Sequence, residues 1–172
     1  MTEIITARLL IRNTSKEETR RIAELNDPDH SASYLNSLSA EDRNIIFQDA
    51  DTVKELLTRL AATVGDGDAI SYGAWLASEM IGYITLNNYT SEMPDLQIEM
   101  DPVYQGQGYG YEFLSALTKH LFDNGYAKFR YAVMPNNAAS IALVEKVGGT
   151  LQTPDSNAER LLFRTYHIIK SN

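Results

Sequence analysis

Gln105-Gly106-Gln107-Gly108-Tyr109-Gly110 stands between a stretch that alternates like a strand, Leu96 to Asp101, and one with the apolar spacing of a helix, about Gly108 to Asn124. Glycine lets the backbone turn tightly and approach a ligand closely. The first turn of a helix leaves its N–H groups without acceptors, and the helix dipole favours an anion there. A strand, a glycine turn and a helix in this order can cradle a pyrophosphate with main chain alone. The same six residues also suit a tight turn that holds nothing, and the turn by itself does not decide between the two.

Two other phosphate motifs fit poorly. A Walker A loop ends in Gly-Lys-Ser/Thr, whereas Tyr111-Glu112 follows here. A dinucleotide fingerprint needs wider glycine spacing and an acidic residue about 20 positions on, where Arg130 has the wrong sign for a ribose hydroxyl. In the preceding strand Leu96, Ile98 and Met100 point one way and Gln97, Glu99 and Asp101 the other, unlike a parallel strand buried on both faces.

Outward from the turn, the patterning predicts strands over Ile4–Arg12, Ile70–Ala77, Met80–Asn87 and Phe129–Met134. Ser78–Glu79 joins two of these as a hairpin. Helices are expected over Glu17–Asn26, capped by Ser15, over Thr52–Val64, and over Asn137–Val147 with Gly148 as its stop. Ser31–Asp49 reads as a helix with a loop. The tail reads as two strands, Gly149–Thr153 and Arg160–Ile169, around a turn at Pro154–Asn157. The order implies an α/β (α+β) layered domain, one mixed, largely antiparallel central sheet flanked by helices. No repeat or linker divides residues 1–172, so one domain is expected.

Composition narrows the function. The net charge is −8, which opposes nucleic-acid binding and would attract cationic substrates, although many acidic surfaces serve solubility alone. There is no cysteine, hence no disulfide, no thiolate zinc site and no cysteine nucleophile. No apolar run is long enough to span a bilayer and no leader is apparent, so a soluble, cytoplasmic protein with no membrane partner is expected. His30, His120 and His167 lack metal-ligand spacing, and no metal is expected.

Gln105, Gly108 and Gly110 match Gln/Arg-x-x-Gly-x-Gly/Ala, and the turn thereby resembles the acetyl-CoA signature of the GNAT superfamily of N-acetyltransferases. Met100-Asp101-Pro102-Val103-Tyr104 is similar to the strand end that leads into that signature. About 27 residues on, Asn137-Ala138-Ala139-Ser140 and Glu145-Lys146-Val147-Gly148 resemble the Asn-x-x-Ser to Glu-Lys-x-Gly pattern of the ribosomal-protein N-terminal acetyltransferase branch. Thr6-Ala7-Arg8-Leu9-Leu10-Ile11-Arg12 is similar to that branch's opening strand.

The resemblance implies a GNAT-like fold in which the strand matching Leu96–Asp101 splays from the one matching Phe129–Met134, with the pantetheine arm of acetyl-CoA in the gap. It implies main-chain contacts to the arm at Met100 and Val103, pyrophosphate on the N–H groups of Gln105, Gly106, Gln107, Gly108, Tyr109 and Gly110, a hydrogen bond from Asn137 to the arm, and Ser140 near the sulfur. Asn137 suits a helix N-cap equally well, and the two roles are compatible; Ser140 also suits an ordinary small residue on a packing face. Two positions depart from the family pattern. Val144 stands where many members carry a tyrosine that protonates the leaving thiolate, which leaves that task to Ser140 or a water. Gly149 stands where phenylalanine usually follows the closing glycine.

Acetylating an amine requires the neutral amine, and an ammonium of pKa about 10.4 must lose a proton first. Glu99, on the polar face of the strand with Gln97 two places back, is the candidate base; a solvated strand carboxylate is the plain alternative, and Asp101 a weaker candidate. Without cysteine, direct transfer in a ternary complex is expected rather than an acyl-enzyme. Trp75 and Tyr72 read as core, and Tyr34, Tyr89 and Tyr104 as possible walls of an amine pocket. The acceptor stays open among a protein N-terminus, a small amine such as a polyamine, amino sugar or amino acid, and no acceptor at all in a module that only binds the coenzyme. Association as a homodimer is a common outcome for such domains.

Overall fold

The structure is a computed structural model that describes residues 3–25, 30–49, 51, 53–54 and 68–171. Its elements are β1 (Ile4–Ile5), β2 (Leu10–Asn13), α1 (Lys16–Leu25), α2 (His30–Ser37), α3 (Ala40–Gln48), β3 (Ala69–Leu76), β4 (Glu79–Asn87), β5 (Asp95–Met100), a 3₁₀ turn (Pro102–Tyr104), α4 (Tyr109–Asp123), β6 (Lys128–Val133), α5 (Ala138–Lys146), β7 (Thr150–Leu151), α6 (Asn157–Leu162) and β8 (Arg164–Ile169). The helix expected over 52–64 lies almost wholly outside the described residues.

One eight-stranded sheet runs in the order β1-β2-β3-β4-β5-β6-β8-β7. Neighbours are antiparallel except β5 and β6, which are parallel and paired at a single register position, Asp95 opposite Arg130. The mixed, largely antiparallel sheet with flanking helices is the architecture expected from the sequence.

Short-range signals set most of the elements. Ser15 and Glu18 form a reciprocal capping box at the start of α1: Ser15 N–H donates to Glu18 Oε2 at 2.8 Å, and Glu18 N–H to Ser15 Oγ at 3.3 Å. Ser39 caps α3 through Asp42 N–H, so Ser31–Asp49 holds two helices rather than one helix and a loop. α4 turns Phe113, Leu114, Leu117 and Leu121 onto the sheet, where they meet Ile84, Leu86, Leu96 and Phe129 in the buried core. Each such side chain contributes about 1.5–3 kcal/mol by leaving water.

Two expectations are corrected. Ile4–Arg12 is not one strand: Thr6 N–H donates to Leu9 O at 2.9 Å, folding the segment into the hairpin β1–β2. The tail holds a helix where a turn and a strand were expected, because Ser156 Oγ accepts from Glu159 N–H at 3.1 Å while Glu159 Oε2 accepts from Asp155 N–H. Strand β8 therefore starts at Arg164.

Candidate active site

The glycine turn lies where β5 ends and α4 begins. Gly106 and Gly108 have φ of +72° and +83°, the left-handed region where a Cβ is costly. Gly108 is the N-cap of α4 and accepts the first helical bond, from Glu112 N–H at 3.1 Å. The amides from Gly108 to Tyr111 therefore have no acceptor inside the helix. Residues 105–108 are exposed. Gln105 N–H is already used, donating to Pro102 O at 3.3 Å, so the available amides begin at Gly106. Gly110 faces inward: a Cβ there would sit 3.6 Å from Leu143 Cδ2 and 3.8 Å from Met100 Cγ. The turn is thus packed against both β5 and α5.

Side chains hold this bend in shape. Gln105 Nε2 donates to Met100 O at 3.0 Å, and Gln107 Nε2 to Val103 O at 2.8 Å. Val103 itself is 74% exposed. Arg8, from the β1–β2 turn, donates through Nη1 to Gln107 O at 3.1 Å and stacks 4.2 Å from the Tyr109 ring centre. Its Nε and main-chain N–H both reach the carboxylate of Glu112, at 2.6 and 2.9 Å, and Thr6 Oγ1 donates to the same carboxylate. Burial would raise the Glu112 carboxyl, but the hydrogen bonds from Thr6 and Arg8 outweigh it and hold it below its ordinary value. A guanidinium and a set of unpaired amides thus share one exposed corner. Neither Arg8 nor Glu112 stands out in the sequence: one reads as a strand residue, the other as a helix-start acid.

Beyond Asp95 and Arg130 no further register pair joins β5 to β6. The pair is reinforced by Arg130 N–H to Pro94 O at 2.8 Å and by the ion pair of Arg130 Nε with Asp95 at 2.5 Å. Past this point Leu96–Met100 and Tyr131–Val133 are not bonded to each other, and a wedge opens toward the glycine turn. This is the splay that the resemblance implies.

On the β6 side of the wedge, Asn137 caps α5, its Oδ1 accepting from Ser140 N–H at 3.0 Å. Among the described residues its Nδ2 has no partner, so that donor remains available beside the cap. Ser140 Oγ lies 2.7 Å from the hydroxyl of Tyr131. Tyr131 is 2% exposed, and burial pushes its phenol up to about 12. The sequence places Tyr131 on the buried face of its strand, where it reads as plain core; nothing in the pattern marks it.

On the β5 side, Glu99 stands opposite Tyr83 of β4. The phenol is buried and hydrogen-bonds to the Glu99 carboxylate, and both the burial and that negative charge raise it. Gln97 stands opposite Thr85, and Thr85 Oγ1 is 2.8 Å from Ser71 Oγ. The sheet face carrying Glu99 is therefore lined with polar groups. Asp101 is differently placed. Its Oδ1 accepts from Val103 N–H at 3.0 Å and its Oδ2 from Arg21 at 2.8 Å, with 1% of the residue exposed. With both oxygens engaged it caps the 3₁₀ turn and is not poised as a base.

The three tyrosines expected to wall an amine pocket, Tyr34 in α2, Tyr104 in the 3₁₀ turn and Tyr89 in the turn after β4, are tied elsewhere. Tyr34 donates to Leu161 O, Tyr104 to Glu79, and Tyr89 packs on the core while its carbonyl accepts from Tyr126. Trp75 is buried, under the Arg12 guanidinium at 3.8 Å. Among the described residues no cluster of three or more His, Cys, Asp or Glu is arranged to hold a metal ion, and no helix is long and apolar enough to cross a membrane.

The chain matches the model of the acetyltransferase (GNAT) domain over residues 8–150. Its fold is similar to the ribosomal L7/L12 alpha-N-protein acetyltransferase RimL in complex with coenzyme A, with 20% identity, TM-score 0.62 and 98% of each chain covered. It is similar to the PaiA N-acetyltransferase of Thermoplasma acidophilum in complex with coenzyme A (20% identity, TM-score 0.61, 94% of this chain and 99% of that one). It is also similar to a chimera of the spermidine N-acetyltransferase SpeG from Vibrio cholerae (19% identity, TM-score 0.61, 95% and 96% covered). No curated protein matches the sequence. With four-fifths of its length under the family model and the unpaired amides, the wedge and the capped Asn137–Ser140 turn all in one place, the chain belongs to the GNAT acetyltransferase family and is an acyltransferase.

Proposed function

We propose that the protein transfers an acetyl group from acetyl-CoA to a primary amine, directly in a ternary complex, and that the chain acts as one domain. The observation that carries this is the run of amides from Gly106 to Tyr111 without acceptors in the turn or the helix, presented by two left-handed glycines at the mouth of the wedge. The residues fit the coenzyme: main-chain N–H groups and the Arg8 guanidinium for the diphosphate, the unpaired edges of β5 and β6 for an arm rich in amides, and Asn137 Nδ2 as a further donor. Acetyl-CoA supplies the activated acetyl group.

The chain's own residues do the rest. Met100 and Val103 flank the arm with main chain. Glu99, on the polar sheet face, takes the proton of the incoming ammonium, directly or through water. Ser140, at the first turn of α5, hands a proton to the departing sulfur and recovers one from solvent. No cysteine is present to form an acyl-enzyme.

A protein N-terminus is the leading acceptor, supported by the Asn137-x-x-Ser140 and Glu145-Lys146-x-Gly148 patterns and by a fold shared with a ribosomal-protein acetyltransferase. A polyamine is the second reading, favoured by the net charge of −8 and by a fold shared equally with a spermidine acetyltransferase. Calorimetry with acetyl-CoA, followed by thiol release over a panel of N-terminal peptides and polyamines, tests both levels. Saturable binding and turnover with peptides is the expected result. Turnover with polyamines alone replaces the first acceptor with the second, and no binding of acetyl-CoA removes the proposal.

A further inference from the structure

Tyr131 is a buried phenol on β6 whose hydroxyl meets Ser140 Oγ at 2.7 Å across the joint between strand and helix. Either oxygen could donate on distance alone, but the count of partners decides. A phenol has one O–H to place. Tyr131 is 2% exposed, and among the described residues its hydroxyl has no partner other than Ser140 Oγ. If Ser140 were the donor, the phenol's hydrogen would be buried without an acceptor, at a cost of about 1–3 kcal/mol. Tyr131 therefore donates and Ser140 accepts.

The polarity of this one bond fixes the other end of the serine. Ser140 N–H is held by Asn137 Oδ1, so the turn of helix that carries the hydroxyl is itself fixed. With its oxygen accepting from Tyr131, the Ser140 hydrogen is free to point away from β6. Ser140 is half-buried, not sealed, so that hydrogen has somewhere to go. Donation into the serine oxygen also polarises its O–H and makes it a stronger donor. Val144, one turn further along α5, is fully buried and offers no hydroxyl at all.

We propose that Tyr131 is a positioning residue of the transfer reaction: by donating to Ser140 Oγ it aims the serine hydrogen at the sulfur of the leaving coenzyme. It touches neither substrate and acts only through Ser140. The inference rests on the reading above in which Ser140 serves the leaving sulfur.

Tyr131→Phe keeps the ring and removes the one hydroxyl, and Ser140→Ala removes its target. Each variant and the double variant are compared with the parent in steady-state thiol release, with thermal unfolding recorded alongside. Tyr131→Phe is expected to lower kcat about tenfold with KM for acetyl-CoA within about twofold. The double variant is expected to be no slower than Ser140→Ala alone, since the phenol has nothing left to orient. A phenol that served only the fold would give losses that multiply in the double variant, or would lower Tm and raise KM with kcat intact; either overturns the proposal. Tyr131→Phe at parental kcat beside a slow Ser140→Ala overturns this inference alone. Ser140→Ala at parental kcat overturns the role of the serine and this inference with it.

Discussion

Arg8 and Glu112 lie 104 positions apart in the chain, yet the guanidinium Nε and the carboxylate meet at 2.6 Å and bind the β1–β2 turn to the first turn of α4. The same carboxylate accepts from Arg8 N–H and Thr6 Oγ1, so one acid closes three donors at the base of the exposed corner beside the glycine turn.

Glu112→Ala strands those donors, and a loss of about 1–3 kcal/mol of stability is expected, read by urea unfolding. The acetyl-CoA Kd should rise as well, because Arg8 loses the anchor that keeps it against Gln107 O. Glu112→Gln should fall between parent and alanine on both counts.

The pH dependence has a definite sign. Glu112 is held below its ordinary carboxyl value, and Glu18 is lowered to about 2 by the Ser15 N–H, with Arg12 and Thr14 adding to it against burial. A depressed carboxylate contributes stability that is whole above the unfolded value, near 4.5, and lost as pH falls toward the folded one. These two carboxylates should therefore make stability decline as pH falls from about 5 to about 2. Glu18 is partly exposed, so screening reduces its share. Glu18→Gln should flatten the decline without altering stability's slope near neutrality; an unchanged acid limb would contradict this.

The glycines of the turn are not equivalent. Gly108→Ala places a Cβ at φ +83° and is expected to cost about 1–2 kcal/mol and weaken coenzyme binding. Gly110 has ordinary helical backbone and only van der Waals neighbours at 3.6 and 3.8 Å. Gly110→Ala should be neutral or gain up to about 1 kcal/mol by helix propensity. Thermal unfolding and calorimetry on the two variants check the contrast.

Val144 and Gly149, the two departures from the family pattern, are in contact. A Cβ on Gly149 would lie 2.6 Å from Val144 Cγ2 and 2.8 Å from Val144 O, and Val144 is fully buried. Gly149→Ala should therefore destabilise by about 1–3 kcal/mol through overpacking. Val144→Ala on that background should recover only part, because the carbonyl clash remains. Val144→Tyr, which restores the common residue, should destabilise rather than raise kcat.

Glu99→Gln is expected to lower kcat by about 10²-fold or more while leaving Tm nearly unchanged, if this carboxylate is the base. Asp101→Asn should do the reverse, lowering Tm by loosening Arg21 and the 3₁₀ turn, with kcat falling less. Thiol release and thermal unfolding on both variants separate a proton acceptor from a cap.

Local chemistry accounts for what the sequence disclosed. The glycine turn, the Asn137 cap and the alternation of β5 are short-range signals, and each stands where its pattern placed it. The Ser156-x-x-Glu159 cap was equally short-range and equally legible, and the strand-like run of residues around it masked the helix. Long-range partners are another matter. Arg8 with Glu112, Tyr131 with Ser140 and Tyr83 with Glu99 join residues that no periodicity relates, because a side chain's partner is chosen by tertiary packing. Tyr131 had no signal at all: a buried aromatic on a strand looks the same whether or not its hydroxyl does anything.

Among the described residues Asp95 and Arg130 are the one register pair between β5 and β6, so the ladder runs unbroken within β1–β5 and within β6–β8 and is clasped between them at that point. Backbone groups past the clasp have no strand across from them, so an amide-bearing guest laid between the halves stands in for the missing rungs. Occupancy should then be felt as stiffness on both sides at once, with amide exchange slowing along Leu96–Met100 and Tyr131–Val133 together. Asp95→Ala, which leaves the Arg130 N–H bond to Pro94 O in place, should weaken that shared response.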